Sequence, residues 1–172
     1  MRLRISLVIS LCLIILGFSF KVNNKYEKYI VEKKEIDSIS NFIEKKDNEL
    51  NYYAIIEIPK INLKRGINEN DNVDKGIVFL SNDINNIILA SHSGNCDTCY
   101  FSFLDKLEIN DLVYFYYDNI KYIYKIDDII LKEKNTFKLN YLKNTITLIT
   151  CSKNNENMNI IIIGKLISKE NY

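Results

Sequence analysis

One cysteine and one histidine are the residues of this chain best suited to covalent catalysis. Cys151 ends an apolar, β-like run at residues 147–151 (TLITC), and a polar, asparagine-rich segment follows it. His92 is the only histidine, and it lies between the apolar run at 87–90 and a Ser-Gly pair. A thiol is a weak nucleophile at neutral pH unless its pKa is lowered or a base lies beside it. We therefore predict Cys151 as nucleophile and His92 as acid and base, each at the end of a strand.

Both residues also have a structural interpretation. Free cysteines are among the most buried residue types, and a lone histidine often has only a packing role. The polar segment after Cys151 argues against burial, because a strand that ends in a polar turn usually exposes its last side chain. The pair is therefore predicted to be catalytic, provided that the fold brings the two strand ends together.

Four segments of the chain together resemble the sortases in their order and spacing. They are residues 56–61 (IEIPKI), 89–94 (LASHSG), 104–107 (LDKL) and 147–151 (TLITC). Sortases are cysteine transpeptidases of Gram-positive cell surfaces, and the resemblance covers residues 52–167. It implies an eight-stranded β-barrel, with Cys151 as nucleophile and His92 as its partner base. It also implies a thioester acyl-enzyme, surface-protein substrates with a Leu-Pro-x-Thr-Gly-like C-terminal signal, and an amine acceptor of the cell wall or a pilin. This chemistry requires no cofactor.

The chain departs from the sortase pattern at one functional position. Sortases carry an arginine shortly after the cysteine, on the next strand, where it is thought to hold the substrate and the oxyanion. The arginines of this chain are Arg2, Arg4 and Arg65, so none follows the cysteine. Alignment on the terminal strand puts Asn159, or less favourably Met158, at that position, and Lys153 is another possible source of charge. Loss of one oxyanion donor typically costs about 2.7–4 kcal/mol of transition-state stabilisation.

A CxxC motif directly after His92 is a second departure. A disulfide between Cys96 and Cys99 is the usual expectation outside the cytoplasm. Two free thiols and a redox switch are alternatives. A further alternative is a zinc site, because His92, Cys96, Cys99 and Cys151 together would make a Cys3His set. That site would occupy the catalytic pair and abolish transpeptidation.

The N-terminal third of the chain predicts a membrane anchor and a spacer. The apolar run at residues 5–20 follows Arg2 and Arg4, and no small-residue cleavage site comes after it. We expect residues 1–22 to form an uncleaved single-pass transmembrane helix that leaves the rest outside the cytoplasmic membrane. A cleaved signal peptide is the alternative. Residues 23–51 lack Gly and Pro and have helix-like apolar spacing, which predicts a helical stalk, either solvated or packed on the catalytic domain.

Residues 52–172 are predicted to form the catalytic domain, which is mainly β. Eight short β-rich runs occur there, at 53–58, 61–67, 77–80, 87–91, 112–117, 120–131, 145–150 and 160–167. Asp118 and Asn119 tolerate positive φ and predict a tight hairpin. A short helical turn is expected at 101–107. Strands at this density favour a closed or nearly closed barrel.

These features predict a membrane-anchored sortase, with Asn159 as a possible substitute for the missing arginine. A net charge of +1 gives no reason to expect a nucleic-acid partner. The main rival is a catalytically degenerate sortase-fold protein that binds peptide or metal at the cell surface. A membrane thiol oxidoreductase built on the CxxC motif is weaker, because no thioredoxin-like βαβ pattern surrounds the motif.

Overall fold

The computed structural model describes residue 33 and residues 52–68, 72–136 and 141–171. Apart from Lys33, the predicted anchor (1–22) and stalk (23–51) therefore lie outside the described residues. Within the described ranges, no helix is long and apolar enough to cross a membrane.

Eight strands make up most of the described chain. They are β1 (Ala54–Ile58), β2 (Leu63–Ile67), β3 (Val78–Asp83), β4 (Asn86–Ala90), β5 (Leu112–Tyr117), β6 (Ile120–Glu133), β7 (Thr145–Cys151) and β8 (Met158–Asn171). Single 3-10 turns lie at Pro59–Ile61, Val73–Lys75, Leu104–Lys106 and Lys134–Thr136. Each predicted β-rich run corresponds to one strand, and the predicted helical turn at 101–107 contains the third 3-10 turn. The prediction of a mainly β fold is confirmed.

The β5–β6 hairpin shows how local sequence determines pairing. Asp118 and Asn119 have φ angles of 50° and 61°, which matches the two positive-φ residues of a type I′ turn. This turn sets Tyr117 opposite Ile120 and continues the register to Leu112 opposite Lys125. The predicted tight hairpin is confirmed.

The eight strands form one sheet in the order β2-β1-β5-β6-β8-β7-β4-β3. The predicted closed or nearly closed barrel is confirmed as a curled, barrel-like sheet. Among the described residues, the edge strands β2 and β3 do not pair, so backbone hydrogen bonds do not close it. Side chains approach across the gap instead. Phe79 of β3 packs edge-on against Tyr53, just before β1, with ring centroids 5.3 Å apart, and against Phe115 of β5 at 6.3 Å.

The curled sheet encloses one main core and carries a smaller apolar patch on its outer face. The main core includes Ile56, Leu89, Phe115, Leu148 and Ile162, all at most 1% exposed. The patch, which we call the outer cluster, contains Ile88, Ile149 and Ile161, with Ala90, Ile130 and Ile163 packed against them. Strands β4 and β7 contribute to both, so they are buried on both faces along most of their length.

Candidate active site

Strands β4 and β7 are neighbours and run parallel, so both end at the same edge of the sheet. Their register sets Ala90 opposite Ile149, and continuing it by two residues puts His92 level with Cys151. Bonds beyond the last paired residues maintain this alignment. The Ser91 N–H donates to the Ile149 carbonyl at 3.3 Å, and the Thr150 hydroxyl donates to the Ser91 carbonyl at 2.8 Å. The predicted meeting of the two strand ends is thus present in the fold.

Cys151 is the last residue of β7, and its thiol is free and half-buried. The hydroxyl of Ser93 donates to the Cys151 carbonyl at 2.5 Å, which ties the loop after β4 to the end of β7. The next residue, Ser152, is buried, and its N–H donates to the Met158 carbonyl at 2.9 Å. The chain therefore turns immediately after Cys151 and leaves the thiol at the rim of the sheet. The thiol is thus carried by a strand that pairs with a neighbour on each side.

His92 has a carboxylate partner that the sequence did not reveal. Its Nε2 lies 2.8 Å from Oδ1 of Asp74, with the His92 side chain 38% exposed and the Asp74 side chain 77% exposed. Asp74 lies in the 3-10 turn Val73–Lys75, and its N–H donates to the side chain of Asn72 at 2.8 Å. A carboxylate at this distance can orient the imidazole ring. An acidic residue in an exposed turn, 18 positions before the histidine, gave no sequence signal that could have found it.

Asn159 lies directly opposite Cys151 in the antiparallel pairing of β7 with β8. Opposed residues project to the same face of a sheet, with Cβ atoms about 4.5–5.5 Å apart. Of the two candidates for the arginine position, Asn159 is thus the one beside the thiol, and Met158 is one position further on. In the pairing of β8 with β6, Asn159 lies opposite Lys132. Cys151, Asn159 and Lys132 therefore form one row across three strands.

Cys96 and Cys99 form a disulfide, with their Cα atoms 5.1 Å apart. This bond removes two ligands from the alternative Cys3His zinc set, and the described residues contain no group of three or more metal-binding side chains. The loop that carries the disulfide is also held by hydrogen bonds. The Ser91 hydroxyl donates to the Thr98 carbonyl at 3.3 Å, and the Phe101 N–H donates to the His92 carbonyl at 3.2 Å.

The family model for the sortase domain matches residues 56–167. The chain belongs to the sortase family. Members of this family are cysteine transpeptidases, so the family supports an enzyme. No curated protein sequence matches the chain significantly.

Solved sortase structures share the fold. Sortase A of Listeria monocytogenes is 21% identical, with a TM-score of 0.63, and the match covers 70% of this chain and 90% of that one. Sortase C1 of Streptococcus agalactiae is 24% identical, with a TM-score of 0.61 and 70% of each chain covered. Sortase C of Streptococcus pneumoniae, whose structure was described in relation to pilin substrate specificity, is 21% identical, with a TM-score of 0.61 and coverage of 70% and 71%.

Two other cations of this sortase domain contact aromatic rings. The Lys153 Nζ lies 4.8 Å from the centroid of the Phe103 ring. Arg65, in edge strand β2, is 8% exposed, and its guanidinium lies over the Tyr100 ring at 5.1 Å. Neither side chain belongs to the row across β7, β8 and β6.

Proposed function

We propose that this protein is a sortase-type transpeptidase that uses Cys151 as nucleophile and His92 as acid and base. The observation that carries the proposal is the free thiol at the end of β7, level with His92 at the end of the parallel strand β4. Family membership makes this geometry more than a coincidence of two reactive side chains.

In the proposed reaction, the Cys151 sulfur attacks a backbone carbonyl carbon of the sorting peptide. The carbonyl electrons move to oxygen, and the Asn159 amide can donate one hydrogen bond to that oxyanion. When the intermediate collapses, the C–N bond breaks, His92 protonates the departing amine, and a thioester remains. An incoming amine then attacks the thioester and loses its proton to His92, and the C–S bond breaks to restore the thiolate.

The outer cluster supports a peptide substrate. Ile149 and Ile161 lie two residues from Cys151 and Asn159 on the same strands, and residues two apart in a strand share a face. An apolar strip therefore leads up to the thiol. It suits the aliphatic part of a Leu-Pro-x-Thr-Gly-like signal, which we propose as the substrate. The proposed acceptor is an amine of the cell wall or of a pilin.

We further propose that residues 1–22 anchor the enzyme in the membrane as a single span and that the catalytic domain is extracytoplasmic. The basic residues before the apolar run at 5–20 support this orientation. A disulfide in the domain agrees with it, because disulfides persist mainly in oxidising compartments.

A second candidate function is binding of the sorting peptide without turnover. The specific observation in its favour is the neutral Asn159 at the position where sortases carry an arginine. The metal-binding form of this rival loses support, because the disulfide occupies two of the four ligands it would need.

The deciding experiment is Cys151→Ala in the full-length protein, assayed with a quenched fluorescent sorting peptide and an amine acceptor. We expect cleavage to fall to background and the thioester adduct to disappear from the mass spectrum, while the melting temperature stays within a few degrees. His92→Ala should lower turnover by about 10²–10⁴-fold, the usual contribution of general acid–base catalysis. Cys12→Ala is the matched control: Cys12 lies within the proposed membrane span, so its replacement also removes one thiol and should leave cleavage unchanged.

Two results would reject transpeptidation. Wild-type protein that binds the peptide but never forms the adduct would favour the second candidate. Undiminished cleavage in Cys151→Ala would show that the nucleophile lies elsewhere.

A further inference from the structure

The site needs a positive charge that Asn159 alone cannot supply. An oxyanion gains most from a charged donor, since charge-assisted hydrogen bonds are roughly twice as strong as neutral ones. Arg65 is the one arginine within the described residues, and its buried guanidinium donates to the backbone carbonyl of Lys64 at 2.8 Å. Lys153 lies beside Phe103. Each of these two cations has a partner outside the row formed by Cys151, Asn159 and Lys132, so we consider the lysine within that row.

Lys132 of β6 is placed to provide the positive charge. It pairs with Asn159 of β8, which in turn pairs with Cys151 of β7. Adjacent strands lie about 4.8 Å apart, so the backbone of Lys132 is about 10 Å from that of Cys151. A lysine carries its charge on a flexible four-carbon stem with three rotatable donors. That stem is long enough to bring the ammonium over Asn159 and toward the thiol.

The outer cluster shows that the row faces the right way. Each member of the row has an isoleucine two residues away on its own strand. Ile149 precedes Cys151, Ile130 precedes Lys132, and Ile161 follows Asn159. These three isoleucines pack together on one face. Side chains two apart on a strand point to the same side, so Lys132 shares the face of Cys151 and Asn159. Lys132 is also exposed and can move its ammonium without disturbing the core.

We propose that Lys132 is the cation of this active site and that it acts with Asn159 in place of the single arginine of other sortases. The inference rests on the proposed transpeptidase function. Asn159 donates a neutral hydrogen bond from its fixed position on β8. Lys132 adds positive potential over the Cys151 thiolate and over the oxyanion that forms when the thiolate attacks the peptide carbonyl. Lys132 has other interactions within the domain as well, so the proposal concerns its reach and charge.

The first test compares two lysines of the same strand in the full-length protein. We expect Lys132→Gln to lower kcat/KM roughly fivefold, the upper end expected for a charge interaction at an exposed site. Lys132→Arg keeps the charge and should retain most of the activity. Lys125→Gln is the matched control: Lys125 is also exposed on β6, pairs with Lys165 and lies well away from the row. It should leave kcat/KM unchanged.

The second test measures the charge at the thiol without any sorting peptide. Iodoacetate and iodoacetamide both alkylate a thiolate with loss of iodide, but only the first carries a negative charge. A nearby ammonium attracts the anion. Lys132→Gln should therefore lower the alkylation ratio at Cys151, defined as the iodoacetate rate divided by the iodoacetamide rate, by roughly threefold. A merely structural role for Lys132 would change both rates alike and leave the ratio constant. Lys125→Gln should not change the ratio.

The third test transfers the charge to the neighbouring strand. Lys132→Gln combined with Asn159→Arg should recover both kcat/KM and the alkylation ratio, because it restores the charge within the same row.

The outcomes separate this inference from the proposed function. An unchanged ratio in Lys132→Gln, an equal fall in Lys125→Gln, or a double variant no better than Lys132→Gln would overturn the role of Lys132 and leave transpeptidation standing. Wild-type protein that never cleaves the peptide would reject the function, while the alkylation ratio would still report whether Lys132 charges the site.

Discussion

Strands β2 and β7 belong to the same sheet but are buried in different ways. In β2, buried Leu63 and Ile67 alternate with partly exposed positions, as expected of a strand with one face on the core and one on water. In β7, every residue from Thr145 to Thr150 is buried, and only Cys151 is partly exposed. The second buried face of β7 belongs to the outer cluster. The twice-buried strand is the one that ends in the free thiol of Cys151.

Neighbouring residues of β7 allow this contrast to be tested at one place in the chain. Leu148 points into the main core and is fully buried, whereas Ile149 belongs to the outer cluster and is 7% exposed. Leu148→Ala should lower the free energy of unfolding by about 2–5 kcal/mol, the usual cost of truncating a core leucine. Ile149→Ala should cost less stability, because Ile149 packs in the smaller of the two apolar clusters, and should chiefly raise KM for the sorting peptide.

Urea unfolding and peptide kinetics on the two variants give both values. The idea that the outer cluster serves a ligand would fail if Ile149→Ala lost as much stability as Leu148→Ala with an unchanged KM. It would gain support if the two variants separated cleanly into a stability effect and a substrate effect.

The strands, and the strand ends at which Cys151 and His92 lie, could be predicted from sequence because their signals are local. Each strand has its own apolar run, and the positive-φ residues Asp118 and Asn119 determine the β5–β6 hairpin. The position of Asn159 followed from counting along β8, and the register confirms that it faces Cys151. These features depend on short stretches of chain and need no knowledge of the sheet order.

The remaining parts of the site depend on pairings between distant strands. The β6–β8 register shifts twice, between Ile123 and Tyr124 and between Ile126 and Asp128, and Lys132 pairs with Asn159 because the two shifts cancel. A slip of one residue exchanges the two faces of a strand, and nothing in the sequence fixes where such irregularities fall. The contact of Asp74 with His92 depends likewise on an exposed turn. The open edges of the predicted barrel have the same origin, since edge pairing depends on the curvature of the whole sheet.

Removing the disulfide in the loop after β4 should cost less stability than truncating a leucine of the main core. Cys96 and Cys99 close a loop of only four residues, so the chain-entropy estimate of the stabilisation is at most about 2 kcal/mol. The hydrogen bonds from Ser91 to Thr98 and from Phe101 to His92 hold the same loop independently. We therefore expect Cys96→Ser/Cys99→Ser to lower the melting temperature modestly and to preserve the fold.

Thiol titration of unfolded wild-type protein checks the bond itself, because reduction should expose two additional thiols. The double serine variant should show no such increase. A variant that unfolds completely would mean that the disulfide stabilises the whole domain, contrary to the view that it acts only on the loop after β4.

The smallest expected effect concerns a polar atom within the main core. Tyr124 of β6 is fully buried, and its hydroxyl has no hydrogen-bond partner within the described part of the chain. A buried polar group left unpaired typically costs about 1–3 kcal/mol. Tyr124→Phe removes that cost while keeping the ring, so it should be neutral or raise the free energy of unfolding by about 1 kcal/mol. A clear loss of stability would show that the hydroxyl is satisfied, for example by water.

A pH series makes this last prediction sharper. Burial, and to a smaller extent Tyr122, raises the pKa of Tyr124 above its ordinary value of 10.0. Above that pH the unfolded chain loses the Tyr124 proton while the folded chain keeps it, so wild-type stability should fall as pH rises, by up to about 1.4 kcal/mol per pH unit. Burial also raises the pKa of Tyr122, and the resulting pH dependence of stability is the same in the wild type and in Tyr124→Phe. Unfolding curves of the wild type and Tyr124→Phe should therefore keep a constant difference below pH 10 and diverge above it, with Tyr124→Phe the more stable. Parallel curves throughout would mean that Tyr124 titrates alike in the folded and unfolded chains.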